Sequence, residues 1–181
     1  MKIIIETNRL IIRELLPSDS EGIFALDSDP EVHKYLGNNP LTTKEQASEV
    51  IEFIRKQYFE NGIGRWAMIY KECNEFVGWT GFKFVTEPIN DHKNYCDIGY
   101  RLVKKHWGKG FATESALACL KYAFETLKVK EVCAFAEYEH EVSNHILTKI
   151  GLKFVETFDY EGKPHNWYQL ERNEYLKKSF A

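Results

Sequence analysis

Apolar residues recur along this chain at two spacings, every second position in some stretches and every third or fourth in others, and the change of period marks out its elements. Residues 9–13 (RLIIR) alternate and predict a first strand. Pro17-Ser-Asp then predicts a helix start, with Ser18 or Asp19 near the cap and the helix running to about Leu26. Asp29-Pro-Glu-Val begins a short second helix. Thr42-Thr-Lys-Glu-Gln supplies the residues of a capping box, after which Ala47, Val50, Ile51, Ile54 and Tyr58 recur at helical spacing as far as Asn61-Gly62.

Over residues 66–70 and 76–85 the pattern turns to β-branched and aromatic residues around the polar turn Glu72-Cys-Asn-Glu, which predicts a hairpin. Asp91-His-Lys-Asn is a second turn and residues 95–103 a further strand. Gly108-Lys-Gly110 leads into a helix over residues 113–127, with Ala116, Leu117, Leu120, Ala123, Phe124 and Leu127 as its apolar stripe. Residues 129–136 read as a strand. Residues 142–150 read as a helix closed by Gly151, which suits the left-handed position after a helix end. Strands over 153–160 and 166–171, joined at Glu161-Gly-Lys, make a closing hairpin. The expected fold class is therefore α/β with one mixed sheet: a strand, helices, three antiparallel strands, a helix, a strand, a helix and two strands.

Composition narrows the classes. A chain of 181 residues, 44% hydrophobic and 14% aromatic, can bury a core of its own, and one domain over residues 1–181 is expected. The net charge of −3 with interleaved acids and bases gives no footprint for a polyanion, so nucleic acid is not expected as a partner. Arg101, Lys104, Lys105 and Lys109 cluster in this acidic chain and point to one small anionic ligand. Cys73, Cys96, Cys119 and Cys133 form no CxxC pair and read as reduced thiols. The apolar patch at the amino terminus is too short for a signal peptide or a membrane span, which predicts a cytoplasmic protein with no membrane partner. None of the six histidines has metal-site spacing, and no metal is expected. A monomer and a homodimer through the closing hairpin are both compatible with the sequence.

The segment from Ile98 to Glu114 carries the most chemistry. Glycines at 108 and 110 permit backbone torsions that turn successive N–H groups into one concavity at a helix start, where the dipole favours an anion. A tight strand-to-helix turn accounts for the same glycines. The Walker spacing GxxxxGK[ST] is absent, and the dinucleotide fingerprint lacks its third glycine, Thr113 standing there, although Glu137 is placed for its acidic residue.

Lys105-x-x-Gly108-x-Gly110-x-Ala112 resembles the (Arg/Gln)-x-x-Gly-x-(Gly/Ala) signature of the GNAT N-acetyltransferase superfamily, with lysine in the basic position. Thr7-x-Arg9-Leu-x-Ile-Arg13 resembles the opening strand of the branch that acetylates ribosomal-protein amino termini. Asp29-Pro-Glu-Val with Leu36-Gly37 resembles that branch's helical insert, and Ser143-Asn144 with Lys149-x-Gly151-Leu152-x-Phe154 resembles the superfamily's late stretch. The resemblance covers roughly residues 7 to 175. It implies a GNAT fold, a single twisted and mostly antiparallel sheet with a splayed central strand pair and helices on both faces. It also implies acetyl-coenzyme A as co-substrate and an amine as acceptor.

By the same resemblance, the backbone of Tyr100, Arg101, Leu102 and Val103 receives the pantetheine arm. Lys105, Trp107, Gly108, Lys109, Gly110, Phe111, Ala112 and Thr113 take the pyrophosphate, and His140 and Asn144 belong to the cofactor site. Two positions depart from the superfamily: Leu147 replaces a tyrosine that protonates the departing thiolate, and His140 replaces an asparagine. Ser143 remains as a hydroxyl donor near the thioester, a role compatible with capping its helix. A thiol of pKa about 8.5 leaves as thiolate at a penalty of roughly 2 kcal/mol at neutral pH, so hydrogen bonding without full proton transfer suffices. Asp97 at the head of the ligand-bearing strand and Glu137, expected at the same edge, are the candidate bases; either also fits a solvated or ion-paired acid. Trp66 and Trp79 are candidates to line the acceptor pocket, and Phe82, Tyr95, Trp167 and Tyr168 read as core.

The reaction so implied is direct attack of a primary amine on the acetyl thioester in a ternary complex, foremost by a protein or peptide α-amine. Alternatives are a small-molecule amine such as a polyamine or amino sugar, a non-catalytic coenzyme A-binding module, and a nicotinamide dinucleotide enzyme using Gly108, Gly110 and Glu137.

Overall fold

The computed structural model describes residues 2–179. The strands are β1 (Ile3–Glu6), β2 (Leu10–Arg13), β3 (Arg65–Tyr70), β4 (Glu75–Val85), β5 (Tyr95–Leu102), β6 (Glu131–Glu137), β7 (Lys153–Tyr160) and β8 (Lys163–Glu171). Among the described residues they form one eight-stranded sheet in the order β1-β2-β3-β4-β5-β6-β8-β7, antiparallel everywhere except between β5 and β6. The helices are α1 (Ser20–Asp27), α2 (Pro30–His33), α3 (Lys44–Asn61), α4 (Phe111–Lys121), α5 (Glu141–Lys149) and α6 (Arg172–Ser179).

Local chemistry places the early helices. Arg13 donates to both oxygens of Asp19 at 2.7 and 2.8 Å in a buried pair, and Asp19 also accepts from the backbone N–H of Leu16, which closes the turn before α1. Thr43 and Gln46 form the reciprocal cap of α3, and Gly62 ends it in the left-handed region at φ 71°. α1 and α3 pack on one face of the sheet, against Ala67 and Ile69 of β3. α4 and α5 cover the opposite face, where Leu120, Phe124 and Leu147 meet Met68, Phe82 and Ile98.

The structure departs from the pattern in four places. β1 precedes the strand expected to be first and forms a hairpin with β2, because a run of three isoleucines shows no alternation to announce a strand. α4 starts at Phe111, two residues early, and its last turn over Tyr122–Leu127 widens to π geometry before Lys128 at φ 55°. Leu117 leaves the expected stripe and is 47% exposed. α6 was not expected: its sequence has little amphipathic character, and Tyr175 packing on Phe124 is a contact between distant segments.

Candidate active site

β4 and β5 pair without interruption from Gly78↔Leu102 to Val85↔Tyr95. β5 and β6 pair only at Cys96↔Val132 and Asp97↔Cys133. Beyond that apex residues 98–102 and 134–137 part, which gives the splayed pair that the resemblance implied. Side chains alternate along β5, so Tyr100 projects toward α4 and α5, while Asp97, Gly99 and Arg101 face the layer of α1 and α3.

On the α4 side, the loop after β5 turns through Lys104–His106 and then through Gly108 at φ 71° and Gly110 at φ 80°. Gly110 is the N-cap of α4 and brings no capping side chain. The first helical hydrogen bond runs from Glu114 N to Gly110 O, so the N–H groups of Phe111, Ala112 and Thr113 have no carbonyl partner within the helix. An uncapped helix start behind two left-handed glycines offers free N–H donors of the kind that suit an anion. Beside it, Thr7, Gly110, Thr113, Leu117 and Lys149 line an open depression of about 550 Å³.

The loop is fixed from behind by residues about a hundred positions away. Glu114 accepts from Thr7 Oγ1 at 2.6 Å, from Arg9 N at 3.1 Å and from Arg9 Nε at 2.7 Å, while Arg9 Nη1 donates to Lys109 O at 2.9 Å. The Arg9 guanidinium also lies 4.5 Å above the buried Phe111 ring. Phe111 is therefore available to a ligand through its backbone alone. Lys105 pairs with Glu75 at 3.0 Å and stays exposed, and Trp107 donates its indole N–H to Leu102 O at 2.8 Å.

Across the splay, the Tyr100 hydroxyl lies 3.3 Å from Ser143 Oγ in the first turn of α5. Asn144, expected in the cofactor site, has its side chain engaged within the protein. Its Nδ2 donates to Glu137 O, Tyr138 O and His140 O, and its Oδ1 accepts from Asn166 Nδ2 and Tyr168 Oη, so the whole amide is used inside the protein. His140 stacks on Tyr35 at 4.3 Å, linking the segment after α2 to the corner between β6 and α5.

On the α1 side, Asp97 is buried at the apex and pairs with Arg65, Nη2 to Oδ2 2.5 Å. Arg65 lies across β5 because position 99 is glycine; a Cβ there would sit 2.8 to 2.9 Å from the guanidinium. Burial pushes the Asp97 carboxyl above its ordinary range and Arg65 opposes that shift. Contrary to the expectation from sequence, Glu137 does not share this edge. It lies four residues beyond the apex partner Cys133, about 13 Å along the strand, where Lys163 holds both its oxygens at 3.0 and 3.1 Å. Trp79 lies between the guanidinium groups of Arg65 and Arg101, at 5.0 and 5.1 Å. Trp66 is on the face opposite Trp79, buried against Phe82 and Tyr122.

Sequence reasoning missed a charged group here. Arg101 Nη1 donates to the buried Asp27 at 2.7 Å, and His33 Nε2 lies 3.6 Å from the same carboxylate. Nothing in the spacing of Asp27, His33 and Arg101 signals their meeting. Among the described residues no three His, Cys, Asp or Glu side chains converge as a metal site, and no helix is long and apolar enough to cross a membrane.

Comparison with known proteins agrees with this geometry. A family model described as Acetyltransferase (GNAT) domain matches residues 9–153. The sequence is 33% identical to the uncharacterised N-acetyltransferase YoaA of Bacillus subtilis (strain 168) over 150 residues, 83% of this chain and 82% of YoaA. RimL, a ribosomal L7/L12 α-N-protein acetyltransferase solved with coenzyme A, aligns with a TM-score of 0.80 and 17% identity over 96% of this chain and 99% of its own. A chimera of the spermidine N-acetyltransferase SpeG from Vibrio cholerae and hSSAT aligns with a TM-score of 0.74 and 19% identity, covering 93% and 99%.

Proposed function

This chain belongs to the GNAT acetyltransferase family, and from that premise we propose that its acceptor is the α-amine of a protein or peptide. It is an acetyl-coenzyme A-dependent N-acetyltransferase. The acceptor must be argued from the site, since the fold is common to enzymes named for a ribosomal protein terminus and for spermidine.

One observation supports the α-amine: both carboxylates able to serve as a base are already paired, Asp97 with Arg65 and Glu137 with Lys163. At Asp97 the Arg65 guanidinium opposes the proton uptake that burial favours, so the apex offers no free, unopposed base. An α-amine of pKa near 7.8 costs only about 1 kcal/mol to deprotonate at neutral pH, whereas a lysine-like amine near 10.4 costs about 4.6 kcal/mol. A weakly basic site favours the first. Asp97 is the better placed of the two, at the apex and with its proton affinity increased by burial, and it takes the proton that the attacking nitrogen sheds.

In this reading the pantetheine arm lies along the backbone of residues 100–103, with the pyrophosphate on Lys105 and on the loop from Trp107 to Thr113. His140 flanks the mouth of the splay. The amine arrives from the α1 side, and the thiolate departs toward Ser143 on the α5 side. Base and hydroxyl donor then act from opposite faces of the sheet. Holding amine and thioester in line contributes on the order of 7 to 11 kcal/mol through effective molarity.

The test is acetylation, followed by mass spectrometry, of four acceptors in parallel: a lysine-free peptide, the same peptide blocked at its terminus and carrying lysine, spermidine, and an amino sugar. The expected product is the α-acetylated peptide, with kcat/KM rising with pH to a plateau near about 8. A preference for spermidine or the amino sugar of about tenfold or more in kcat/KM would replace this acceptor with a small amine.

A further inference from the structure

Leu147, where the superfamily's usual tyrosine acid would stand, is 2% exposed inside the main core, so α5 offers no phenol at that position. A phenol approaches from the other side. Tyr100 projects from β5 and its Oη lies 3.3 Å from both the Oγ and the carbonyl oxygen of Ser143. Because Ser143 follows β6, this contact bridges the gap that β5 and β6 leave past Asp97 and Cys133. A thioester lying in that gap must pass beside the two hydroxyls.

We infer that Tyr100 is a positioning residue that orients the Ser143 hydroxyl toward the thiolate released from acetyl-coenzyme A, an inference that rests on the function proposed above. A phenol has one hydrogen to donate and Ser143 Oγ two lone pairs to accept with. When Tyr100 donates to Oγ, the serine's own hydrogen is free to turn into the gap. Burial lifts the Tyr100 phenol above its ordinary pKa, so it stays protonated through the working range and remains a donor.

The chemistry balances without an added acid. The amine lone pair forms the C–N bond, the C–S bond breaks with its electrons on sulfur, and the extra proton on nitrogen passes to Asp97 or to water. A thiol near 8.5 is more acidic than either hydroxyl, so Ser143 and Tyr100 keep their protons and stabilise the thiolate by hydrogen bonding alone.

This is testable without knowing the acceptor, by titrating the thiol of bound coenzyme A through the ultraviolet absorbance of its thiolate. The desulfo-coenzyme A complex serves as the blank for protein groups. Cys96, Cys119 and Cys133 are pushed up by burial to about 11, 12 and 12, above the range of interest. In the wild type the bound thiol should titrate about one to two pH units below the ordinary value of about 8.5. Tyr100→Phe should return it upward by about one unit while keeping the stabilisation by coenzyme A at about pH 6, where the bound thiol is mostly protonated in both forms. Ser143→Ala should do at least as much, and the double variant no more than Ser143→Ala alone. With a working acceptor, Tyr100→Phe should lower kcat about tenfold at constant KM for acetyl-coenzyme A. A thiol pKa indifferent to Tyr100→Phe, or full additivity of the two substitutions, overturns the inference and leaves the transferase reading standing. Absence of any stabilisation by coenzyme A overturns both.

Discussion

Glu114 is the residue that ties the glycine-rich turn to the opening strands. Burial alone would raise its pKa, but hydrogen bonds from Thr7 and Arg9 outweigh it and hold the carboxyl below its ordinary range. The carboxylate therefore stays charged well into mild acid, and its grip on Arg9 fixes the carbonyl of Lys109 in the loop. Glu114→Gln keeps the shape and removes the charge. It should weaken coenzyme A binding about tenfold by calorimetric titration, the size of one lost charge-assisted hydrogen bond at about 1.5 kcal/mol. An unchanged affinity would mean that the glycine torsions hold the loop by themselves. Thr7, Arg9 and the glycine segment all stand out in the sequence. That they are one structure does not, because nothing local links residues more than a hundred positions apart.

At the scale of elements, α5 is tied down beside the splay by one side chain. Asn144 joins the end of β6, the start of α5 and, through Asn166 and Tyr168, β8. Asn144→Ala leaves three carbonyls and two donors without that partner and should cost about 2 to 4 kcal/mol, read as a lower urea midpoint at unchanged slope. A cost below about 0.5 kcal/mol would show that strand pairing alone seats the helix. The hairpins and the capped helices were legible because their signals are local: a polar turn between alternating strands, Thr43 with Gln46, Gly62 past a helix end. The start of α4 was not, since its cap is a glycine and not a side chain, and Leu117 fits the helical period yet faces outward beside the open depression.

For the molecule as a whole, three partly or fully buried histidines set the response to acid. Burial depresses the pKa of His33, His106 and His140; Arg101 adds to this for His33, and Lys105 and Lys109 for His106. Asp27 and Glu75 oppose the shift at the first two, and Glu137 at the third. The unfolded chain then binds more protons than the folded one below about 6.5, so their contribution is complete above that pH and lost as pH falls through the folded values. The unfolding midpoint should drop between about pH 7 and about pH 5, each histidine adding a slope of up to about 1.4 kcal/mol per pH unit, and substituting His106 by Gln should flatten the curve. A profile flat over that interval would mean that these rings take up protons in the folded protein as readily as in the unfolded chain. The sequence by itself determined the α/β class, most strands and helices, and the glycine loop with its family signature, because period, caps and motif spacing are properties of neighbouring residues. Only the tertiary structure decided that Asp97 and Glu137 lie far apart, that Trp66 and Trp79 take opposite faces of the sheet, and that Tyr100 meets Ser143 across the gap. Those facts depend on sheet register and on which face each side chain takes, and both are fixed by long-range packing.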